Sequence, residues 1–240
     1  IATTVVVESF FIMAGLYYIY KEKLNFGDKE RFDFEFSLEL LKQSWPLMIS
    51  TVSWIVYTKI DQIMIGRMIG LESVGMYAIA IQLSTIVVIL PTIFVTTLMP
   101  RIQKIKNIDS QLYLIKFQRL FDITVWFVFF VSIALVIVAP KLIGFAFGTQ
   151  YLAAVEIVRV SIWSTIFIIM AIVSGQYLIF EGLQKITMYR HIFGIFINIV
   201  LNYYFIIQFE VIGAAYATLI TLFVCNYILD ALSISTRICF

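Results

Sequence analysis

Apolar positions fill this chain in long blocks separated by short polar breaks. A hydrocarbon layer of about 30 Å is crossed by about 20 helical residues at 1.5 Å each. Apolar runs of that length occur near residues 1–20, 44–66, 74–99, 118–139, 154–180, 188–207 and 211–233, which predicts seven spanning helices. The longest polar stretch, KEKLNFGDKERFDFEFSLELLKQS, falls between the first two. Its 32–41 part alternates apolar and acidic residues, a pattern that suits a short strand or an interfacial amphipathic segment; a plain linker is the expectation. Pro46 is placed in the first turn of its helix, where a missing N–H does no harm. Pro91 falls deep in the third and predicts a kink or a break.

Composition agrees with that pattern. With 62% hydrophobic and 13% charged residues, the chain departs from soluble domains, in which about a quarter of residues are charged. It reads as a membrane protein. Cys225 lies in an apolar run and Cys239 near the end, so neither a disulfide framework nor a zinc site is expected. Ile1 opens an apolar run without the basic flank of a signal peptide, and the chain is expected to be a piece of a longer protein that begins inside a helix.

Charge then sets an orientation. If residues 21–42 are cytoplasmic, alternation puts 101–119, 181–191 and the C-terminus on the same side, and these hold thirteen of the seventeen Lys and Arg. That asymmetry satisfies the positive-inside rule and leaves Lys59, Arg67, Lys141 and Arg159 within helices or on the outer side. Lys59, Asp61 and Arg67 lie inside or at the rim of the second span, where a charge in hydrocarbon costs roughly 2.5–3.5 kcal/mol. They need a wet cavity or a partner. Lys59 and Asp61 project about 200° apart on a helix, so they are expected neither to pair nor to face one cavity. Asp61 shares a face with Tyr57, Thr58 and Ile65, and Lys59 shares one with Ile55, Val56 and Ile63.

The segment IVYTKIDQIMIGRMIGLESVGMYAIAIQL carries an Asp within a helix, a Gly at its end and V-G-x-Y opening the next. It resembles the polysaccharide (O-antigen type) flippases of the multidrug/oligosaccharidyl-lipid/polysaccharide exporter superfamily. The likeness continues in SWPLMIS, ILPTIFVTTLMPRI, YLIFEGLQKITMYRHIFGIFINIVLNYYFI and VIGAAYATLI, nearly the whole chain. Family members usually carry a Pro before the last of these, whereas this chain reads IIQFEVIGAAYATL, with Gln208 and Glu210 and no Pro. The departure concerns the geometry of that turn.

The resemblance implies an all-α, polytopic transmembrane helix bundle: a MATE-like lobe of about seven spans from a twelve-helix transporter. Residues 1–20 would be the last helix of the N-terminal lobe, 21–42 a cytoplasmic linker and 43–240 the C-terminal six-helix lobe. The implied activity is translocation of an undecaprenyl-pyrophosphate-linked oligosaccharide across the bacterial inner (cytoplasmic) membrane by alternating access. The implied partners are that lipid-linked substrate, membrane lipids and polysaccharide-assembly membrane proteins, with no nucleic acid.

An anionic pyrophosphate needs cations or helix N-termini along its route. The substrate-path candidates are Lys59, Asp61, Arg67 and Arg159, although Glu156 stands three residues before Arg159 and suits a local ion pair. No cofactor or metal is expected. Glu8, a carboxylate in apolar surroundings, is the candidate for coupling to a proton or sodium gradient, and a structural hydrogen bond is the alternative. Asn198 and Asn202, spaced i, i+4, are candidates for sugar contact together with Gln176 and Tyr57. Interhelical bonding and interfacial packing explain these residues as well. His191 is expected at headgroup level, as a surface residue.

Other readings are a cation-coupled multidrug antiporter or a peptidoglycan-precursor flippase of the same superfamily, a seven-helix receptor, and a membrane enzyme. The last span has no Lys for a retinal Schiff base, and paired extracellular Cys are missing, which argues against a receptor. The outer loops are too short for a catalytic cluster, so no enzyme is expected.

Overall fold

A computed structural model describes residues 13–15, 17 and 34–232. The chain divides into two compact units, residues 1–43 and 44–240. Most of the predicted span 1–20, including Glu8, and most of the predicted linker lie outside the described residues. In order, the helices are α1 (Phe34–Met68), α2 (Leu71–Lys106), α3 (Ser110–Ala146), a 3₁₀ turn (Thr149–Tyr151), α4 (Ala154–Phe180) and α5 (Gln184–Phe223). A π-helical turn (Val224–Ile228) and the short α6 (Leu229–Leu232) complete the series. Among the described residues there is no strand, and the architecture is an all-α helix bundle.

Helix α1 opens at Phe34, so residues 34–41 are helical rather than a strand or a plain linker. Leu and Glu, both good helix formers, make up five of its eight residues. Pro46 is therefore inside α1, about three turns from its start, and not in the first turn. Pro91 likewise does not break its helix, because α2 runs from Leu71 to Lys106 through both Pro91 and Pro100. Hydroxyls on the following turns bond back to the backbone, Thr92 to the Val88 carbonyl at 2.6 Å and Thr96 to the Thr92 carbonyl at 2.9 Å.

The turns are short. Gly70, at φ 142°, joins α1 to α2, and Gly182, at φ 75°, joins α4 to α5. Asp109 caps α3 by accepting from the backbone N–H groups of Gln111 and Leu112. Within α5 the backbone leaves helical geometry at Glu210 (φ 53°, ψ −133°), and the chain folds back on itself. The Asn198–Thr218 and Arg190–Asp230 contacts pair residues twenty and forty apart, which no straight helix allows. Thus α5 is two antiparallel arms, residues 184–209 and 211–223, matching the two spans predicted there. Gly213 fits the hairpin because a Cβ at that position would collide with the Phe205 carbonyl.

Among the described residues four helices are long and apolar enough to cross a membrane: α2, α3, α4 and the run Gln184–Ala231, which contains both arms of the hairpin. The protein is a multi-pass membrane protein. Helix α1 is less apolar because Ser, Thr, Lys and Asp interrupt its apolar positions. In α4, 61% of the most apolar window is buried, against 22–39% elsewhere, so α4 is the central helix. It packs against α2, α3 and α5. Met99, Phe117, Val128, Ile169 and Leu178 centre one core cluster, and Ile65, Tyr77, Ile143, Val158 and Ala214 a second. Small hydroxyls bridge the helices, Ser84 to Ser161 at 2.8 Å and Ser132 to Thr165 at 3.3 Å.

Candidate functional site

Helix α1 meets the rest of its unit mainly through side chains, with little close backbone packing. A cavity of about 220 Å³ opens between α1, α2, α4 and the second arm of α5. Trp54, Tyr57, Thr58, Lys59, Asp61 and Gln62 line it from α1. The opposite walls are rich in hydroxyls, with Ser84 and Thr85 on α2, Ser161, Ser164 and Thr165 on α4, and Thr218 on α5.

Asp61 anchors this wall. Its side chain is 3% exposed, and its carboxylate accepts three hydrogen bonds. Tyr77 donates to Oδ2 at 2.7 Å, Thr218 to Oδ2 at 2.6 Å and the Asn202 amide to Oδ1 at 2.7 Å. Three donors from α2 and both arms of α5 therefore converge on one carboxylate of α1. Among the described residues no cation lies within ion-pair distance of it. Charge-assisted bonds of this kind are about twice as strong as neutral ones.

The structure places the sequence candidates as follows. Tyr57, Asp61 and Ile65 form the buried face of α1, while Ile55, Val56, Lys59 and Ile63 are exposed. Yet Lys59 and Asp61 line the same cavity, contrary to the expectation that they could not. The 200° between them is about 160° the other way round, and Thr58 and Gln62 occupy that arc; the cavity wraps this side of α1. Arg67 is exposed in the last turn of α1 and does not line the cavity. Arg159 is paired with Glu156 at 2.5 Å on an exposed stretch of α4, also away from the cavity.

Asn198 and Asn202 are fully buried and do not line the cavity. Asn202 holds Asp61, and Asn198 contacts Thr218 at 3.4 Å, so both serve the hydrogen-bond network and present no surface to a sugar. Gln176 is half-buried on α4 outside the cavity. Tyr57 does line it, with its hydroxyl 3.4 Å from the Thr218 carbonyl.

Two pairings escaped the sequence reading. Arg190, counted there as a loop cation, is buried, and its Nη1 donates to Asp230 at 2.7 Å and to Ser174 at 3.1 Å. Its position next to a loop resembles any positive-inside residue, and only the hairpin brings Asp230 back to it. His191 is part-buried rather than at the surface, with Nδ1 2.9 Å from the Ser50 hydroxyl of α1 and its ring 5.4 Å from Trp54. The hydroxyl lining was legible only as Ser and Thr set into apolar runs, such as SIWST at 161–165.

Comparison with known proteins bears on the architecture. A family model described as a polysaccharide biosynthesis protein matches residues 1–106. The chain is 28% identical over 217 residues to an uncharacterized membrane protein of Methanocaldococcus jannaschii, covering 86% of this chain and 51% of that protein. It is 25% identical over 225 residues to a probable flippase of Haloferax volcanii, with 88% and 44% covered. An outward-facing multidrug resistance MATE family transporter of the MOP superfamily superposes with a TM-score of 0.69 at 22% identity, covering 82% of this chain and 45% of that one. The fold is that of the MOP-superfamily transporters. This chain spans about half the length of the curated relatives it matches. The activities named among these proteins are those of a flippase and a transporter, not of an enzyme.

Proposed function

We propose that this chain is a lobe of a flippase that carries a lipid-linked oligosaccharide across a membrane by alternating access. The observation that carries the reading is the composition of the cavity: an exposed lysine, the partly exposed ring of Trp54, and walls set with Tyr57, Tyr77 and rows of Ser and Thr. Hydroxyls and aromatic faces suit sugar rings, and a cation suits a phosphate. The likeness to the Haloferax volcanii probable flippase and to the polysaccharide biosynthesis family points the same way. In its specific form the proposal names an undecaprenyl-pyrophosphate carrier, O-antigen-type polysaccharide assembly and the bacterial inner membrane, with Lys59 and Asp61 on the route. Residues 1–20, 21–42 and 43–240 remain assigned in this proposal to the last helix of the N-terminal lobe, the linker and the C-terminal lobe.

Buried in its network, Asp61 shapes the wall, while Lys59 meets the cargo's phosphate. Multidrug antiport is the competing reading, favoured by the likeness to a MATE family transporter. The test expresses the full-length gene in a deletion strain and scores surface polysaccharide and drug resistance together. With Lys59→Gln the proposal expects loss of polysaccharide export. Wild-type export by Lys59→Gln, or drug resistance that depends on the gene while polysaccharide does not, contradicts it.

A further inference from the structure

On the outer wall of the bundle, away from the polar cavity, α2 and α3 enclose a lateral groove. Its apolar part, of about 190 Å³, runs between Leu90, Phe94 and Leu98 of α2 and Ile123 and Phe127 of α3. A wider part of about 350 Å³ adjoins it, with Leu98, Leu120 and Ile123 lining both. That second part is rimmed by Arg101, Lys116 and Arg119. The groove shares no residue with the Asp61 cavity.

The two parts differ sharply in chemistry. Pro91 is buried in the floor of the slot, and the Thr124 hydroxyl is turned back to the Leu120 and Phe121 carbonyls of its own helix. The slot therefore offers nothing polar to a ligand. At the other end no acidic residue lines the groove. Among the described residues Arg101, Lys116 and Arg119 have no ion-pair partner, whereas neighbouring Lys106 is paired with Glu181 at 2.6 Å. Lys116 and Arg119, three residues apart, share a face of α3. Like charges gathered at the mouth of an apolar slot are stabilised by an anion with a hydrocarbon chain. From Leu90 to Ile105 the groove is about 22 Å long at 1.5 Å per residue, enough for an extended acyl chain and its headgroup.

We infer that the α2/α3 groove binds an anionic phospholipid of the surrounding membrane, its phosphate on Arg101, Lys116 and Arg119 and one chain in the slot beneath Leu98. Basic pockets between membrane helices take such headgroups. The groove between Arg190 and Phe193 of α5 and Leu229 of α6 is a poor rival, because its arginine already has Asp230. The inference is independent of what the polar cavity carries.

The full-length protein in detergent is titrated with phosphatidylglycerol or with phosphatidylcholine of the same chains, and bound lipid is counted by native mass spectrometry. Phosphatidylglycerol is expected to bind about tenfold more tightly, and the preference to vanish in the Arg101→Gln/Lys116→Gln/Arg119→Gln variant. All three side chains are exposed, so the fold survives their removal. Filling the slot with Thr124→Phe, cations intact, is expected to lower phosphatidylglycerol retention as well. Retention unchanged in either variant, equal retention of the two lipids, or competition by inorganic pyrophosphate in both wild type and Thr124→Phe to the same degree each overturns the inference.

Discussion

At Glu210 the backbone takes φ 53° and ψ −133°, a region that glycine enters freely and other residues enter with strain. Glu210→Gly is therefore expected to stabilise the hairpin by about 1 kcal/mol, read as a raised thermal midpoint of the detergent-solubilised protein. An unchanged or lowered midpoint would show that the turn is not strained. The sequence located this turn, and the missing Pro marked its geometry as unusual; the positive φ itself had no signature in residue types. Asp61 is the second residue-scale case. Asp61→Ala leaves the Asn202 amide and the Tyr77 and Thr218 hydroxyls without their acceptor, an expected loss of about 2 kcal/mol. Asp61→Asn keeps an oxygen for Asn202, and the two hydroxyls can turn to accept from the new amide, so its loss is expected to be under about 1 kcal/mol. Chemical unfolding of the two variants side by side checks the order; equal losses would remove the network from the account.

Among the elements, the α5 hairpin is locked near its open end by the buried Arg190–Asp230 pair. Removing one partner of such a pair strands a charge in the interior. Arg190→Gln is expected to cost roughly 3–5 kcal/mol, and Arg190→Met/Asp230→Leu to recover most of it, by thermal or chemical unfolding. A double variant as unstable as the single one would contradict this. Elements were the level at which the sequence spoke most clearly. Six of the seven apolar runs coincide with described helices, because hydrocarbon thickness sets their length and backbone hydrogen bonding sets their form. The region 34–41 was less legible: its alternation of Phe, Glu and Leu matches a strand as well as a helix, and continuity with α1 decided it. Pairings such as Arg190 with Asp230 and His191 with Ser50 stayed hidden, since they join positions forty and more residues apart, brought together only by folding.

The larger unit is a bundle in which α4 is central and α1 closes a hydroxyl-lined cavity through side-chain bonds. Composition and hydropathy gave the membrane and the positions of the described helices, and periodicity divided α1 into a buried and an exposed face. The cavity's breadth was not readable, because an angle between two side chains does not say how much of a helix a hollow subtends. Lys59 and Asp61 line it together for that reason. The central claim, that cargo passes through this cavity, is tested most directly by plugging it. Thr85 lines the cavity on α2, whereas Ile89, one turn further along the same face of that helix, is exposed and does not line it. The rate at which the reconstituted full-length protein moves a fluorescent lipid-linked oligosaccharide between leaflets is measured for Thr85→Trp and Ile89→Trp. The account expects Thr85→Trp to slow translocation by about tenfold or more and Ile89→Trp to stay within about twofold of wild type; a wild-type rate in Thr85→Trp would contradict it.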